Sequence, residues 1–225
     1  MIVVHHLNNS RSQRVLWLLE ELGLPYEIKK YQRDAETMLA PPSLREVHPL
    51  GKSPVVTDGS GAALAESGAI LEYLMDRYGN GRLIPPAGTP ERLRYTYWLH
   101  YAEGSAMPPF LMKLIFDRIE TAPMPFFVKP IAKGISAKVK STFIMPQIKT
   151  HLDFMEAELG KHVWLAGEEM TAADVQMSFP LEAASMRGGL DASRPKLFAF
   201  LQRIHARPAY KRALERGGEY AFATV

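Results

Sequence analysis

The chain has no cysteine among its 225 residues. That excludes a disulfide framework, a thiolate metal site and a cysteine nucleophile of its own. No apolar run approaches the ~18 residues of a membrane-spanning helix. The opening Met1-Ile2-Val3-Val4-His5-His6 has no basic stretch followed by an apolar one, so no secretory leader is read there. An excess of one charge is also missing: 27 Lys+Arg stand against 24 Asp+Glu, a net of +3, short of the steep basic excess of a nucleic-acid binder. With 47% hydrophobic and 23% charged residues the composition excludes disorder. A chain of this length buries enough surface to fold without a staple. The expectation is a soluble, cytoplasmic globular protein.

The charge present is unevenly placed. Residues 1–80 carry 8 basic and 10 acidic side chains, a net of −2, whereas residues 81–225 carry 19 and 14, a net of +5. Lys129, Lys133, Lys138, Lys140 and Lys149 follow one another with no acid between them. Together with Pro125-Phe126-Phe127-Val128 they read either as a solvated helix face or as contact with an anionic membrane surface.

Ile2–Leu7 reads as a β-branched strand closed by Asn8-Asn9-Ser10, and Val15, Leu18, Leu19 and Leu22 follow helical spacing until Gly23. Pro25 opens a second strand to about Tyr31, and a short helix is expected in the polar stretch that follows. Val55-Val56-Thr57, the turn Asp58-Gly59-Ser60-Gly61 and Ala62–Ala65 make a hairpin. A helix then starts at Glu66-Ser67. Residues 79–90 have linker composition, and beyond them no strand is evident. Long helices are expected over 91–120, bent near Pro108-Pro109, and over 130–160, with Pro146 a candidate kink. Thr171-Ala172-Ala173-Asp174 is a capping-box-like start with Met170 and Val175 at staple positions, and further helices fit 195–206 and 208–216. The pattern specifies a small α/β unit over 1–80, a linker over 81–90 and an all-helical unit over 91–225.

Five motifs stand in order along this frame: Asn9-Ser10-Arg11-Ser12-Gln13-Arg14, Glu20 to Glu27, His48-Pro49-Leu50-Gly51-Lys52-Ser53-Pro54-Val55, Glu66-Ser67 and Thr171 to Asp174. With them the chain resembles the cytosolic glutathione transferases over essentially its whole length, most closely their serine-type bacterial and fungal branch. The resemblance implies a thioredoxin-like N-terminal domain followed by an all-helical C-terminal domain. It implies glutathione as co-substrate, no permanently bound cofactor or metal, a homodimer and a detoxifying transferase activity on small hydrophobic electrophiles. Glutathione-dependent peroxidase activity is compatible with the same site. The alternative is a non-catalytic binding or regulatory relative, against which the joint presence of Lys52, Ser53-Pro54 and Glu66-Ser67 argues.

By the same resemblance Glu66 and Ser67 receive the γ-glutamyl end of glutathione, and a helix start there suits a carboxylate; read alone, either residue would be an ordinary N-cap. Ser53-Pro54, with a cis bond, presents backbone to the peptide, and Lys52 supplies charge to the glycyl carboxylate. His48 is read as a turn residue. Ser10 is the catalytic candidate, donating its hydroxyl to the glutathione sulfur, with Ser12 and Asn9 as rivals and N-capping as the plainer role. Arg14 is expected to be a structural or interface residue and not a catalytic one. Tyr101, Met107, Phe110 and Leu111, with Leu114, Tyr220 and Phe222, are candidates for the electrophile site, although core packing accounts for the same spacing. Glu103 is a candidate to reach a partner subunit's glutathione.

Overall fold

A computed structural model describes residues 1–187 and 189–223. The β-branched opening forms β1 (Ile2–Leu7), and α1 (Ser12–Leu22) returns the chain to β2 (Tyr26–Tyr31), parallel to β1 in the register Ile2↔Tyr26 to Leu7↔Tyr31. A 3₁₀ turn at Pro42–Leu44 precedes β3 (Val55–Thr57) and β4 (Ala63–Ala65), which form the expected antiparallel hairpin. β3 also pairs antiparallel with β1, giving the sheet order β2-β1-β3-β4. This is the thioredoxin-like arrangement.

α1 ends at Gly23, whose φ of +63° and backbone N–H to Glu20 make a left-handed stop, with Leu24 N–H bonded to the Leu19 carbonyl. Its side chains from Ser12 to Leu19 are all buried, because the sheet covers one side and helical elements cover the other. α2 (Ser67–Tyr78) follows β4, and the chain then enters its helical half.

There, α3 (Pro90–Tyr101) passes through one π-helical turn, Ala102–Ala106, into α4 (Met107–Thr121). α5 (Lys129–Val139) passes through a second, Lys140–Ile144, into α6 (Met145–Leu159). Both widened turns end next to proline: Pro108 and Pro146 lack the N–H that would bond four residues back, so the helical ladder slips there. At both places where the sequence predicts an interruption or kink, a π turn divides the helix. α7 (Ala172–Met186), α8 (Pro195–Ala206) and α9 (Pro208–Gly217) complete the all-helical half.

A single large core runs through both halves, from Val4, Trp17 and Leu71 to Trp98, Met155 and Phe200. α9 is tied back to α1 by charge: Arg212 and Arg216 pair with Glu20 at 2.8 and 3.0 Å, and Arg207 with Glu21. The buried edge contact of Trp17 with Tyr210 (5.4 Å between ring centres) closes the same seam. On the outside, Phe126, Phe127, Ile131 and Ile135 are exposed around the start of α5. Among the described residues no helix is long and apolar enough to cross a membrane.

Candidate active site

The register of the sheet brings the separated motifs to one end. His5 pairs with Val55, and Val55 with Ala65. Pro54 immediately precedes Val55 and Glu66 immediately follows Ala65, so both lie at this end of the sheet. The Ser53–Pro54 peptide is cis. The Ser53 hydroxyl accepts from Leu7 N–H (3.2 Å) and donates to the His5 carbonyl (2.8 Å), pinning this turn to the end of β1. Pro54 is buried, and Lys52 beside it is exposed.

Glu66 takes a left-handed φ of +70° and its side chain makes no capping bond. Its carbonyl accepts the first helical bond of α2, from Ile70 N–H at 2.9 Å. The N–H groups of Ser67, Gly68 and Ala69 therefore lie ahead of the helical ladder, at the positive end of the helix dipole. Ser67 is buried and Glu66 exposed. The plain capping role considered for Glu66 is thus not the one its side chain plays.

The turn after β1 separates the three candidate donors. Asn9, at φ +49°, accepts Ala221 N–H on its side-chain oxygen (2.7 Å) and so holds the C-terminal segment. Ser12 is wholly buried. Its hydroxyl lies 2.8 Å from His6 Nδ1, 2.7 Å from Ser10 Oγ and 3.3 Å from the Leu7 carbonyl. Ser10 Oγ also accepts Ser12 N–H at 3.2 Å, so Ser10 does cap the start of α1. Of the two serines, Ser10 lines a cleft of about 520 Å³ between the sheet's end and the helical half.

Burial, with Lys30 adding to it, pushes the His6 imidazole down to about 4. The ring is therefore neutral at pH 7 and too weak a base to hold a thiol's proton. It can instead fix the Ser12 hydroxyl, either by donating from Nδ1 or by accepting there.

Asn9, Ser10, Arg11, Met107, Leu111, Leu114 and Phe222 line the cleft, together with Arg33, Met38, Arg118, Phe179, Met186, Arg187 and Ala221. Four of the seven acceptor-site candidates are thus on its wall. The other three are not. Phe110 is fully buried in the core, and Tyr101 is buried with its hydroxyl 2.5 Å from His151 Nδ1. Tyr220 is buried with its hydroxyl donated to Glu182 (2.6 Å). Helical spacing alone could not tell a core-facing side chain from one facing the cleft.

Glu103 does not reach outward. Arg11 Nε donates to its carboxylate at 2.9 and 3.0 Å, and Arg14 makes a very short contact with the same group. These cations hold the carboxyl below its ordinary range although burial opposes them. Arg14 is fully buried and also donates to the Gln176 carbonyl (2.6 Å), which makes it a structural tie between α1, α7 and the π turn after α3.

Comparison with known proteins agrees with this geometry. Family models described as the glutathione S-transferase N-terminal and C-terminal domains match residues 10–77 and 117–208. A glutathione S-transferase 3 of Schizosaccharomyces pombe is 37% identical over 217 residues, 96% of this chain and 88% of that protein. Glutathione S-transferase 1 of Saccharomyces cerevisiae is 33% identical over 223 residues, 96% of this chain and 95% of its own. A crystal structure of a glutathione S-transferase from Actinobacillus pleuropneumoniae superposes with a TM-score of 0.80 at 32% identity, covering 100% of this chain and 97% of that one.

Proposed function

The chain belongs to the glutathione S-transferase family, and from that premise we propose that it binds glutathione along Lys52, Ser53-Pro54 and Glu66-Ser67 and transfers the sulfur to small hydrophobic electrophiles held in the cleft beside Ser10. The reading is carried by Ser10, although buried like Ser12, being the one of the two serines among the residues that line this cleft, while Ser12 is wholly interior and Asn9 accepts from Ala221. Residues 91–225 would supply most of the acceptor wall.

The chemistry requires a thiolate. A thiol of pKa ~8.5 is only about 3% ionised at pH 7, and lowering it by two units needs about 2.7 kcal/mol in favour of the anion. In the productive arrangement neutral His6 donates from Nδ1 to Ser12, and Ser12 donates to Ser10. Ser10 then accepts from both the hydroxyl and the N–H of Ser12, so its own proton is left to point at the sulfur. A charge-assisted hydrogen bond of this kind is worth about 1.5–3 kcal/mol, and the positive end of α1 adds to it. Ser10 is thus a donor, with Ser12 and His6 as positioning residues. The thiolate attacks the electrophilic carbon, the leaving group departs with its electron pair, and the thiol proton passes to solvent. The same anion is competent to reduce hydroperoxides, with a second glutathione closing the disulfide.

Calorimetry with glutathione, coupled to an assay with 1-chloro-2,4-dinitrobenzene, tests the reading. Saturable binding at or below millimolar glutathione and measurable conjugation are expected. No binding at millimolar glutathione would return the chain to a scaffold role. We also propose a homodimer, supported by exposed Leu93 and Tyr97 on α3 and exposed Ile115 and Ile119 on α4. Sedimentation should give a particle about twice the 25.2 kDa of one chain; a particle of one chain's mass at micromolar concentration refutes it.

A further inference from the structure

We propose that the acceptor taken up in the cleft carries a carboxylate on an apolar body, read by Arg33, Arg118 and Arg187. This rests on the transferase reading above and narrows its substrate class. Three separate segments deliver these cations to one cavity: the chain after β2, α4, and the residue following α7. Met107, Leu111, Phe179 and Phe222 give the same cavity apolar lining.

None of the three is neutralised by a carboxylate at ion-pair distance among the described residues. Arg33 donates only to carbonyls, those of Asn8 (3.3 Å) and Met38 (3.0 Å), which aim the guanidinium without cancelling its charge. Arg187 lies over the Phe222 ring, 5.5 Å from its centre. The nearby acids are committed elsewhere: Glu103 to Arg11 and Arg14, and Asp117 to Lys113 (2.7 Å) and Lys140 (2.8 Å). Burial and the like charges of Arg11 and Arg118 weigh against the charged form of both Arg33 and Arg187, and for Arg187 the more distant Asp117 offsets only part of this. Crowding cations around an apolar cavity gains the fold nothing. An anion bound between them relieves the repulsion, and guanidinium matches a carboxylate in two-point geometry.

The test is a matched pair of aromatic acceptors, 4-chloro-3,5-dinitrobenzoate and its neutral amide. With either, the carbon–sulfur bond forms at the chlorine-bearing carbon, chloride leaves with the bonding pair and the thiol proton goes to solvent. In the double variant Arg118→Gln, Arg187→Gln the acid-over-amide ratio of kcat/KM should fall at least tenfold, with the glutathione KM moving less than twofold. An unchanged ratio overturns the proposal. An unchanged ratio with a tenfold higher glutathione KM also overturns it, assigning the arginines to the tripeptide's own carboxylate. Arg118 is exposed, so Arg118→Gln alone gives the same readout at several-fold size should the double variant not fold. If neither acceptor is turned over, the transferase reading fails, and calorimetry with the unreactive 4-amino-3,5-dinitrobenzoate and its amide still decides the charge preference. There the wild-type chain should bind the acid at least tenfold more tightly than the double variant does, with the amide unaffected; equal affinities sink the idea.

Discussion

Replacing Ser10 by alanine should lower kcat for glutathione conjugation at least tenfold at pH 7 while the thermal midpoint moves by only a few degrees. A factor of ten is about 1.4 kcal/mol of barrier, within the range of one hydrogen bond to an anion. Because Ser10 also accepts Ser12 N–H, some loss of cap stability accompanies the change, about 1 kcal/mol. The diagnostic readout is the thiol itself: the pKa of bound glutathione, followed by thiolate ultraviolet absorbance, should rise towards the free value of ~8.5 in Ser10→Ala. Ser12→Ala should cost less, several-fold in kcat, since it removes only the hydroxyl that turns the Ser10 proton outward. If Ser12→Ala shows the tenfold loss and Ser10→Ala does not, the two roles are reversed and the interior serine is the donor.

The largest stability effect is expected at Asp174. Its fully buried carboxylate accepts Leu165 N–H (2.9 Å), Thr171 N–H (2.8 Å) and the Thr171 hydroxyl (3.0 Å). Burial raises this carboxyl to about 6 against those hydrogen bonds, so it is still largely ionised at pH 7. Asp174→Ala leaves two backbone donors buried without an acceptor, each costing about 1–3 kcal/mol. A loss of about 3–5 kcal/mol follows, which for a chain this long lowers the thermal midpoint by roughly 10 °C. Asp174→Asn, whose amide oxygen can still accept, should lose about half as much. Urea or thermal unfolding measures both. A loss below about 1 kcal/mol for Asp174→Ala would show that α7 does not depend on this start.

Asp174 also shows what could be read without coordinates. Thr171-Ala-Ala-Asp174 flanked by Met170 and Val175 is a local signal, since all its partners except Leu165 lie within five residues. The helical period of α1, the left-handed stop at Gly23 and the β3–β4 hairpin are local in the same sense. The cationic side of the cleft had no such signal. Arg33, Arg118 and Arg187 are separated by tens of residues, and each alone reads as a solvated arginine. Tyr101 and Phe110, candidates for the wall or for the core, are buried in the core for the converse reason: an apolar residue at helical spacing does not by itself say which of two apolar surroundings it meets. The pairing of Glu103 within its own chain had no local signal either, because Arg11 and Arg14 sit some ninety residues earlier, at the start of α1.

The order of strands and helices, several of their boundaries (Gly23, the β3–β4 hairpin, the start at Thr171), and the presence of Ser10, Lys52, Ser53-Pro54 and Glu66-Ser67 in a recognisable sequence followed from short-range stereochemistry and hydrophobic period, which the chain carries in itself. Which serine is among the cleft's lining residues, which aromatic side chains line it, where Glu103 is held and how three distant arginines come to one cavity were decided by tertiary packing. Those outcomes depend on distances between segments remote along the chain, and such distances are fixed only when the shared core closes.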